Sequence, residues 1–416
     1  MKFTSKFKRN VLVLGASIAS IGYIFSIATT SIGVILFLIS WQLNFTELNF
    51  RALYKTNKLH LLVVLFLILL AGISYSTDLK QAQNDIVRHL SYILLPLIFL
   101  TSKPFTKKES DTVIKTYIYA LTVFFIICLF NAIYRQVKFS NQGGPFNWYF
   151  FYRYDFLEIF KQHPTYVSMY VLLSISYILN NGKKLFKKKW AAISLLIIQV
   201  LSIVFFGSRI GYIILLLILL THTYKNLKLT PKKAKIKQGL IYLTSIISLL
   251  IISWNIPIVK ERIQFTFGHQ QDYKFNNKEL IKNKTPEAEG RLLLWEDAFE
   301  LIKERPLLGY GTGSPDKILY QKYKEKGHLL FFEKKYNTHN TYLELLLIGG
   351  ATLLFMYLLA LGALLFLGIK RKDTVLLSFF LIISIAGLTE TLFIAQGIVF
   401  FSFFFCFLLS TKKYNE

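Results

Sequence analysis

TPEAEGRLLLWEDAFELIKERPLLGYGTG, residues 285–313, and KKYNTHNTYLELLLIGG, residues 334–350, bracket the stretch on which the reading of this chain turns. The first string opens as an amphipathic helix carrying Arg291 and is halted by Pro306 and the glycines at 309, 311 and 313. The second carries His339-Asn340 and runs directly into an apolar segment. These strings sit in and at the end of the longest polar interval, residues 255–338, and on either side of it the chain is strongly apolar.

Of the 416 residues, 54% are hydrophobic and 16% aromatic. They fall in unbroken runs of about 17–25, the length needed to cross a hydrocarbon core of about 30 Å. The expectation is an all-α polytopic membrane protein with about twelve transmembrane helices. The first two form a hairpin, 10–27 and 30–45, turned at Thr29-Thr30-Ser31. Further spans are expected at 60–76, 86–101, 112–134, 164–180, 190–206, 210–224 and 239–254. The last three are expected at 341–368, 374–389 and 392–410. This divides the chain into a first membrane block (1–254), a large loop containing short amphipathic helices (255–338) and a second membrane block (339–416).

The formal charge of +26 is concentrated in short loops, such as Lys103/Lys107/Lys108, Lys183 to Lys189 and Lys370/Arg371/Lys372. Alternation of these loops along the chain is the positive-inside pattern. It puts both termini in the cytoplasm and leaves 135–162 and 255–338 outside, where long segments translocate whatever their charge. Anionic membrane lipids are a sufficient partner for the basic loops. A nucleic-acid partner is not expected, because no basic face or aromatic platform accompanies the charge. Cys128 and Cys406 lie in apolar runs, and no disulfide framework or metal-ligand spacing is present. The N-terminal MKFTSKFKRN lacks a small-residue cleavage site before its apolar run, so it reads as an uncleaved first span.

Within 289–305, Leu292, Trp295, Phe299 and Ile302 recur at helical spacing and predict a helix lying in the membrane interface. Spacing alone leaves Arg291 open between a headgroup contact and a functional role. The GxGxG after Pro306 follows a helix and lacks a trailing GK[ST], so it reads as a flexible turn and not a nucleotide loop. Gly207-Ser208-Arg209 is the whole connection between two spans, and a cation so near hydrocarbon needs an anionic partner, headgroup or pyrophosphate. Arg88 and Arg153 are weaker candidates of the same kind. Thr341-x-x-Glu344 predicts a capping box, which sets His339 just before a helix start, where the dipole keeps a neutral ring available as a base. His163, before Pro164, occupies the comparable place on the sixth span, and Glu390 stands at the end of the eleventh.

The combination Arg291-x-x-x-Trp295, Pro306-Leu-Leu-Gly309-x-Gly311, His339-Asn340-x-Tyr342-Leu343 and Gly349-Gly350 resembles the signature block of the O-antigen ligase/polymerase family. Ser208-Arg209 resembles the arginine-bearing junction upstream of that block. The motif-level resemblance covers about the last half of the chain, and the first half is similar in topology alone. It implies a bacterial inner-membrane glycosyltransferase, without metal or other cofactor, working at the periplasmic face. The implied donor is an undecaprenyl-pyrophosphate-linked glycan. The implied acceptor is a sugar hydroxyl, on lipid A-core for a ligase or on a growing glycan for a polymerase. His339 then becomes the catalytic base, Arg209 and Arg291 the pyrophosphate clamp, and Asn340 a substrate contact. Arg88, His163 and Glu390 join them as substrate-binding candidates on position, with no matched motif.

A ligase-like enzyme with direct displacement and inversion is the expected reading, and a polymerase of the same family is the alternative. A lipid-linked oligosaccharide flippase is the reading from another class. It calls for polar residues near the bilayer midplane and related halves, whereas here the distinctive polar residues gather at one face.

Overall fold

The computed structural model describes residues 4–45, 48–55, 57–229, 287–393 and 395–411. The predicted ninth span, 239–254, and the first part of the long polar interval, 255–286, lie outside the described residues. All regular elements among the described residues are helical. In chain order they begin with α1 (Ser5–Ala19), α2 (Gly22–Phe25), α3 (Ile27–Gln42), α4 (His60–Ala71), α5 (Leu79–His89) and α6 (Ser91–Thr101). There follow α7 (Lys107–Asn141), α8 (Arg153–Phe156), α9 (Pro164–Leu185), α10 (Lys189–Phe206) and α11 (Arg209–Leu229). After the gap come α12 (Glu287–Glu304), α13 (Pro315–Glu325), α14 (Leu329–Lys334), α15 (Thr341–Lys370), α16 (Thr374–Ala386) and α17 (Ala395–Ser410).

Among the described residues three helices, α7, α10 and α15, are long and apolar enough to cross a bilayer, while α3, α4, α16 and α17 are apolar but shorter. Val123, Ile126 and Phe130 on α7, and Phe355, Leu358 and Phe366 on α15, remain exposed. Such outward apolar stripes need a lipid solvent rather than water. At the centre stands α9, buried on every side from Pro164 to Ile178 and packed by α7, α10, α11 and α16. A helix apolar all round belongs in the interior, and its sequence fits that place. Beside it α17 inserts Phe400, Phe401, Phe403, Phe404 and Phe405, all buried.

Several predicted boundaries move. The first hairpin turns at Ser26, not at Thr29-Thr30-Ser31, because Ser26 and Thr29 form a reciprocal capping box that starts α3 there. The span expected at 86–101 is two helices. Asp78 caps the amphipathic α5 through the Gln81 N–H, and only Ser91–Thr101, interrupted by Pro96, is continuously apolar.

The described part of the polar interval builds a small core of its own. Leu294, Ala298 and Leu301 of α12 pack with Tyr310, Leu319, Tyr323 and Phe331 onto Leu343 and Leu347 of α15. Half of the predicted stripe joins it, Trp295 and Ile302 packing against this core, while Leu292 and Phe299 are 63% and 48% exposed. Asp297 is fully buried, 2.7 Å from His328 Nδ1 and 2.9 Å from Lys326 Nζ.

The turn after Pro306 is not free either. A break at Gly349-Gly350 interrupts α15 and exposes helical carbonyls. Tyr310 N–H and Gly311 N–H donate to Leu347 O and Ile348 O at 2.8 and 2.9 Å, and Ala351 N–H returns to Pro306 O at 2.8 Å. Gly309 and Gly350 both take positive φ, and a Cβ on either would stand 2.5 Å from Leu347 O or 2.3 Å from Leu307 C. The glycines serve backbone-to-backbone docking, which accounts for the motif without a phosphate.

Candidate functional site

Four separate helix termini meet at one place. Gly207 ends α10 in a left-handed turn with φ of 59°, its N–H bonded to Ile203 O and Val204 O. Ser208 Oγ accepts from Gly211 N–H, so α11 starts on Arg209. On α9, Pro164 occupies the first turn and His163 is the N-cap, its Nδ1 accepting from the Thr165 N–H at 3.3 Å. On α12, Arg291 sits one turn before Trp295, whose Nε1–H donates to Thr338 O at 2.9 Å and so ties the helix to the residue preceding His339.

The N-cap of α15 is Asn340, not the predicted Thr341. Asn340 Oδ1 accepts from the Tyr342 and Leu343 N–H groups, and Nδ2 donates to Leu388 O. Thr341 instead joins two segments: its N–H donates to Gly387 O, its Oγ donates to Glu390 O at 2.7 Å and accepts from Leu392 N–H at 3.0 Å. From the other side the Tyr166 hydroxyl of α9 donates to Thr391 O. Glu390 is thereby fixed between α9 and the start of α15. Glu344, predicted to complete the cap, takes a hydrogen bond from Thr338 Oγ instead.

The result is a cleft of about 450 Å³, within the size range of small-molecule sites, lined by Arg153, Tyr154, His163, Arg209, Arg291, Tyr336, His339 and Glu390. Ile210, Ile213, Leu294, Leu330 and Phe331 supply its apolar wall. Glu390 is the hub. Its Oε1 lies 3.3 Å from Arg291 Nη2 and 3.7 Å from His163 Nε2, and its Oε2 lies 3.4 Å from His339 Nδ1. Arg291 also donates to Thr389 O at 2.9 Å. Burial pushes the Glu390 carboxyl up, but the His339 hydrogen bond and the charges of His163, His339 and Arg291 outweigh it and hold the group below the usual carboxylate range. Burial pushes His163 below the ordinary imidazole range, against the pull of Glu390.

A carboxylate can only accept, so His339 presents its Nδ1–H to Glu390 and keeps its lone pair on Nε2. His339 holds this position in a left-handed backbone conformation, φ of 46°, with its N–H bonded to Asn337 Oδ1. For a residue with a Cβ that conformation costs on the order of 1–3 kcal/mol, and such strain concentrates at functional sites.

Six of the eight residues singled out from sequence, Arg209, Arg291, His339, His163, Glu390 and Arg153, share the cleft. Two do not line it. Asn340 is buried with its amide engaged in capping. Arg88 lies on α5, paired with Asp85 at 3.0 Å. An arginine three residues after an aspartate on a helix already has a local partner, and that spacing was visible. Nothing local in the sequence distinguishes Tyr154 or Tyr336, each one aromatic among many. Among the described residues no group of three or more His, Cys, Asp or Glu side chains is arranged to hold a metal ion.

Residues 194–358 match a family model described as O-antigen ligase. That stretch is similar to the O-antigen ligase family. The matched stretch runs from α10 into α15 and contains Arg209, Arg291 and His339, while His163 and Glu390 fall outside it and reach the cleft through the fold. No curated protein matches the chain. The similarity supports a glycosyl-transfer role at a membrane, with glycan and lipid-linked substrates in general.

Proposed function

We propose that the protein is an inner-membrane glycosyltransferase that moves a glycan from undecaprenyl pyrophosphate to a sugar hydroxyl of lipid A-core. The observation that carries this reading is the meeting of Arg209, Arg291, His339 and Glu390 in one cleft with an apolar wall. The reading includes twelve spans, cytoplasmic termini and a periplasmic cleft, with 255–338 as a large loop between membrane blocks 1–254 and 339–416. The positive-inside pattern supports that orientation.

In this scheme Arg209 and Arg291 receive the diphosphate, which guanidinium groups match in shape and charge. Ile210 and Ile213 face the first isoprene units. The acceptor hydroxyl oxygen attacks the anomeric carbon opposite the diphosphate, and the bond from that carbon to the phosphate oxygen breaks. The electron pair leaves on undecaprenyl pyrophosphate and the hydroxyl proton passes to His339 Nε2. The anomeric centre inverts. Glu390 holds the imidazole in the required tautomer and faces the positive charge that forms on it. The diphosphate is a good leaving group, so the reaction needs no nucleotide, and the arginines take the charge-neutralising part that a metal would otherwise play.

The test is the full chain in proteoliposomes with undecaprenyl-pyrophosphate-linked glycan and either lipid A-core or a second glycan as acceptor. Transfer to lipid A-core is expected, with a loss of about 10²–10⁴ in rate for His339→Ala. Transfer to the glycan alone would assign a polymerase. Transfer to neither, or His339→Ala and Arg291→Ala both behaving as wild type, would defeat the assignment.

A further inference from the structure

We infer that the cavity between the start of α5, the helix α13 and the end of α14 is a glycan subsite, which holds a sugar unit remote from the reacting end of the acceptor or of the lipid-linked glycan. Its link to transfer rests on the reading proposed above. The cavity encloses about 440 Å³, within the range of small-molecule sites.

Its walls are held from three sides. Ser314 Oγ accepts from the Thr77 N–H at 2.8 Å, which joins the residue before α13 to the one before the Asp78 cap. A Cβ on Gly313 would stand 2.2 Å from Ala82 N, so the chain entering α13 lies directly against the backbone of α5. The Tyr320 hydroxyl donates to Lys335 O at 3.1 Å and ties α13 to the end of α14. A cavity framed in this way has little ordering left to do when a ligand arrives.

The lining selects the chemistry. Asp78, Gln81, Asp316 and Tyr320 are half-buried, and Lys317, Gln321, Phe332 and Lys335 form an exposed rim. Carboxylates accept, ammonium groups donate and amides do both. Two lysines oppose a cation, two aspartates oppose a phosphate, and so polar a lining does not suit an isoprenoid tail. A sugar fits: its hydroxyls give and take hydrogen bonds, and its C–H face can lie on the ring of Phe332 or Tyr320. Asp316 takes no hydrogen bond from another described residue, and burial pushes its carboxyl above the ordinary range against the charge of Arg88. That is the condition of an acceptor short of donors.

Position ties the cavity to the reaction. Phe332 and Lys335 line it, whereas Leu330, Phe331 and Tyr336 line the cleft, so α14 and the residues just after it form the partition between the two. The Cα atoms of Lys335 and Tyr336 are bonded neighbours about 3.8 Å apart. The Tyr336 ring in turn lies 5.9 Å from that of His339. A glycan with its reacting end at His339 thus meets a second foothold across one short helix. In the proposed orientation both walls are periplasmic, as the cleft is.

The test titrates the full chain in detergent with two soluble probes, lipid-free core oligosaccharide and lipid-free donor glycan, beside KM and kcat for transfer in proteoliposomes. Wild type should bind one of them, and which one names the source of the sugar. Asp316→Ala and Phe332→Ala should each weaken that binding on the order of 10-fold, the worth of one hydrogen bond or of a partly buried ring. Phe332→Tyr keeps the ring and should keep the affinity. The loss should appear in KM for the substrate that carries this glycan far more than in kcat. A wild type that binds neither probe, or unaltered binding and KM in both alanine variants, would overturn the inference, and transfer persisting there would leave the transferase reading standing. Probe binding lost in both variants of a chain that transfers no glycan would keep the subsite and overturn the transferase.

Discussion

Replacing Glu390 by glutamine keeps the shape of the side chain and removes one charge from the centre of the cleft. The carboxylate oxygen lies 3.4 Å from His339 Nδ1. At an effective dielectric of about 20, its attraction for an imidazolium at that distance is about 5 kcal/mol. A neutral amide forfeits most of this. If its N–H turns toward Nδ1, it also favours the tautomer that puts the proton on Nε2, where the base is needed. Together these predict a fall of about 10²–10⁴ in kcat, or about 3–5 kcal/mol of barrier. KM for the donor should change only a few-fold, because Arg291 keeps its bond to Thr389 O and can still donate to the amide oxygen. Initial rates of glycan transfer in proteoliposomes read the effect. The folded-state pKa of Glu390 lies below its unfolded value, so the stability it contributes is present above about pH 4.3 and is lost as pH falls through the lower folded value. The Tm gap between wild type and Glu390→Gln should accordingly be open at pH 7 and close in acid. A variant whose kcat stays within threefold of wild type would refute the account of the His339–Glu390 pair.

Two other predictions concern the frame around the cleft. Gly350→Ala puts a Cβ 2.3 Å from Leu307 C at a φ of 58°, and should cost about 2–4 kcal/mol in thermal unfolding. Gly362→Ala in the same helix meets nothing within 4 Å and should be neutral or stabilising by about 0.5–1 kcal/mol, so equal behaviour of the two would remove the docking argument. Asp85 is raised to about 6, by burial and by the charge of Asp316, against the opposing effect of Arg88. The folded state then holds a proton there that the unfolded chain has released, and ionisation above pH 6 weakens the fold. Asp85→Asn should raise Tm at pH 7.5 relative to wild type, with the advantage gone at pH 4; a constant gap across that range would contradict the assignment.

The sequence made the helical, membrane-type architecture legible because uninterrupted apolar runs have few other uses, and Pro164, Gly207 and Pro306 marked real helix boundaries. It did not reveal which face of α12 is buried. Residues 292–302 offer two apolar stripes, and only the facing Leu343 and Leu347 decide for Leu294, Ala298 and Leu301. The burial of Asp297 has no local signal, because its partners, Lys326 and His328, come from about thirty positions later in the chain. For the cleft, Arg209, Arg291 and His339 could be named because each stands close to a helix end. Arg88 already has a local partner in Asp85, and Asn340 is a one-residue shift of the cap from Thr341. Tyr154 could not be separated from its aromatic neighbours, since what distinguishes it is contact with His163.

His339 precedes α15 and Glu390 follows α16, so the imidazole and its carboxylate are the two loose ends of one long helical hairpin. Its closed end is the turn at Arg371-Lys372-Asp373, where Lys372 takes a φ of 50° and Asp373 caps the returning helix. Sliding one helix along the other by a single turn would displace the pair by about 5.4 Å and part them. The hairpin thus works as a vernier, with a small three-residue bend setting the alignment of two groups that meet a whole helix length away.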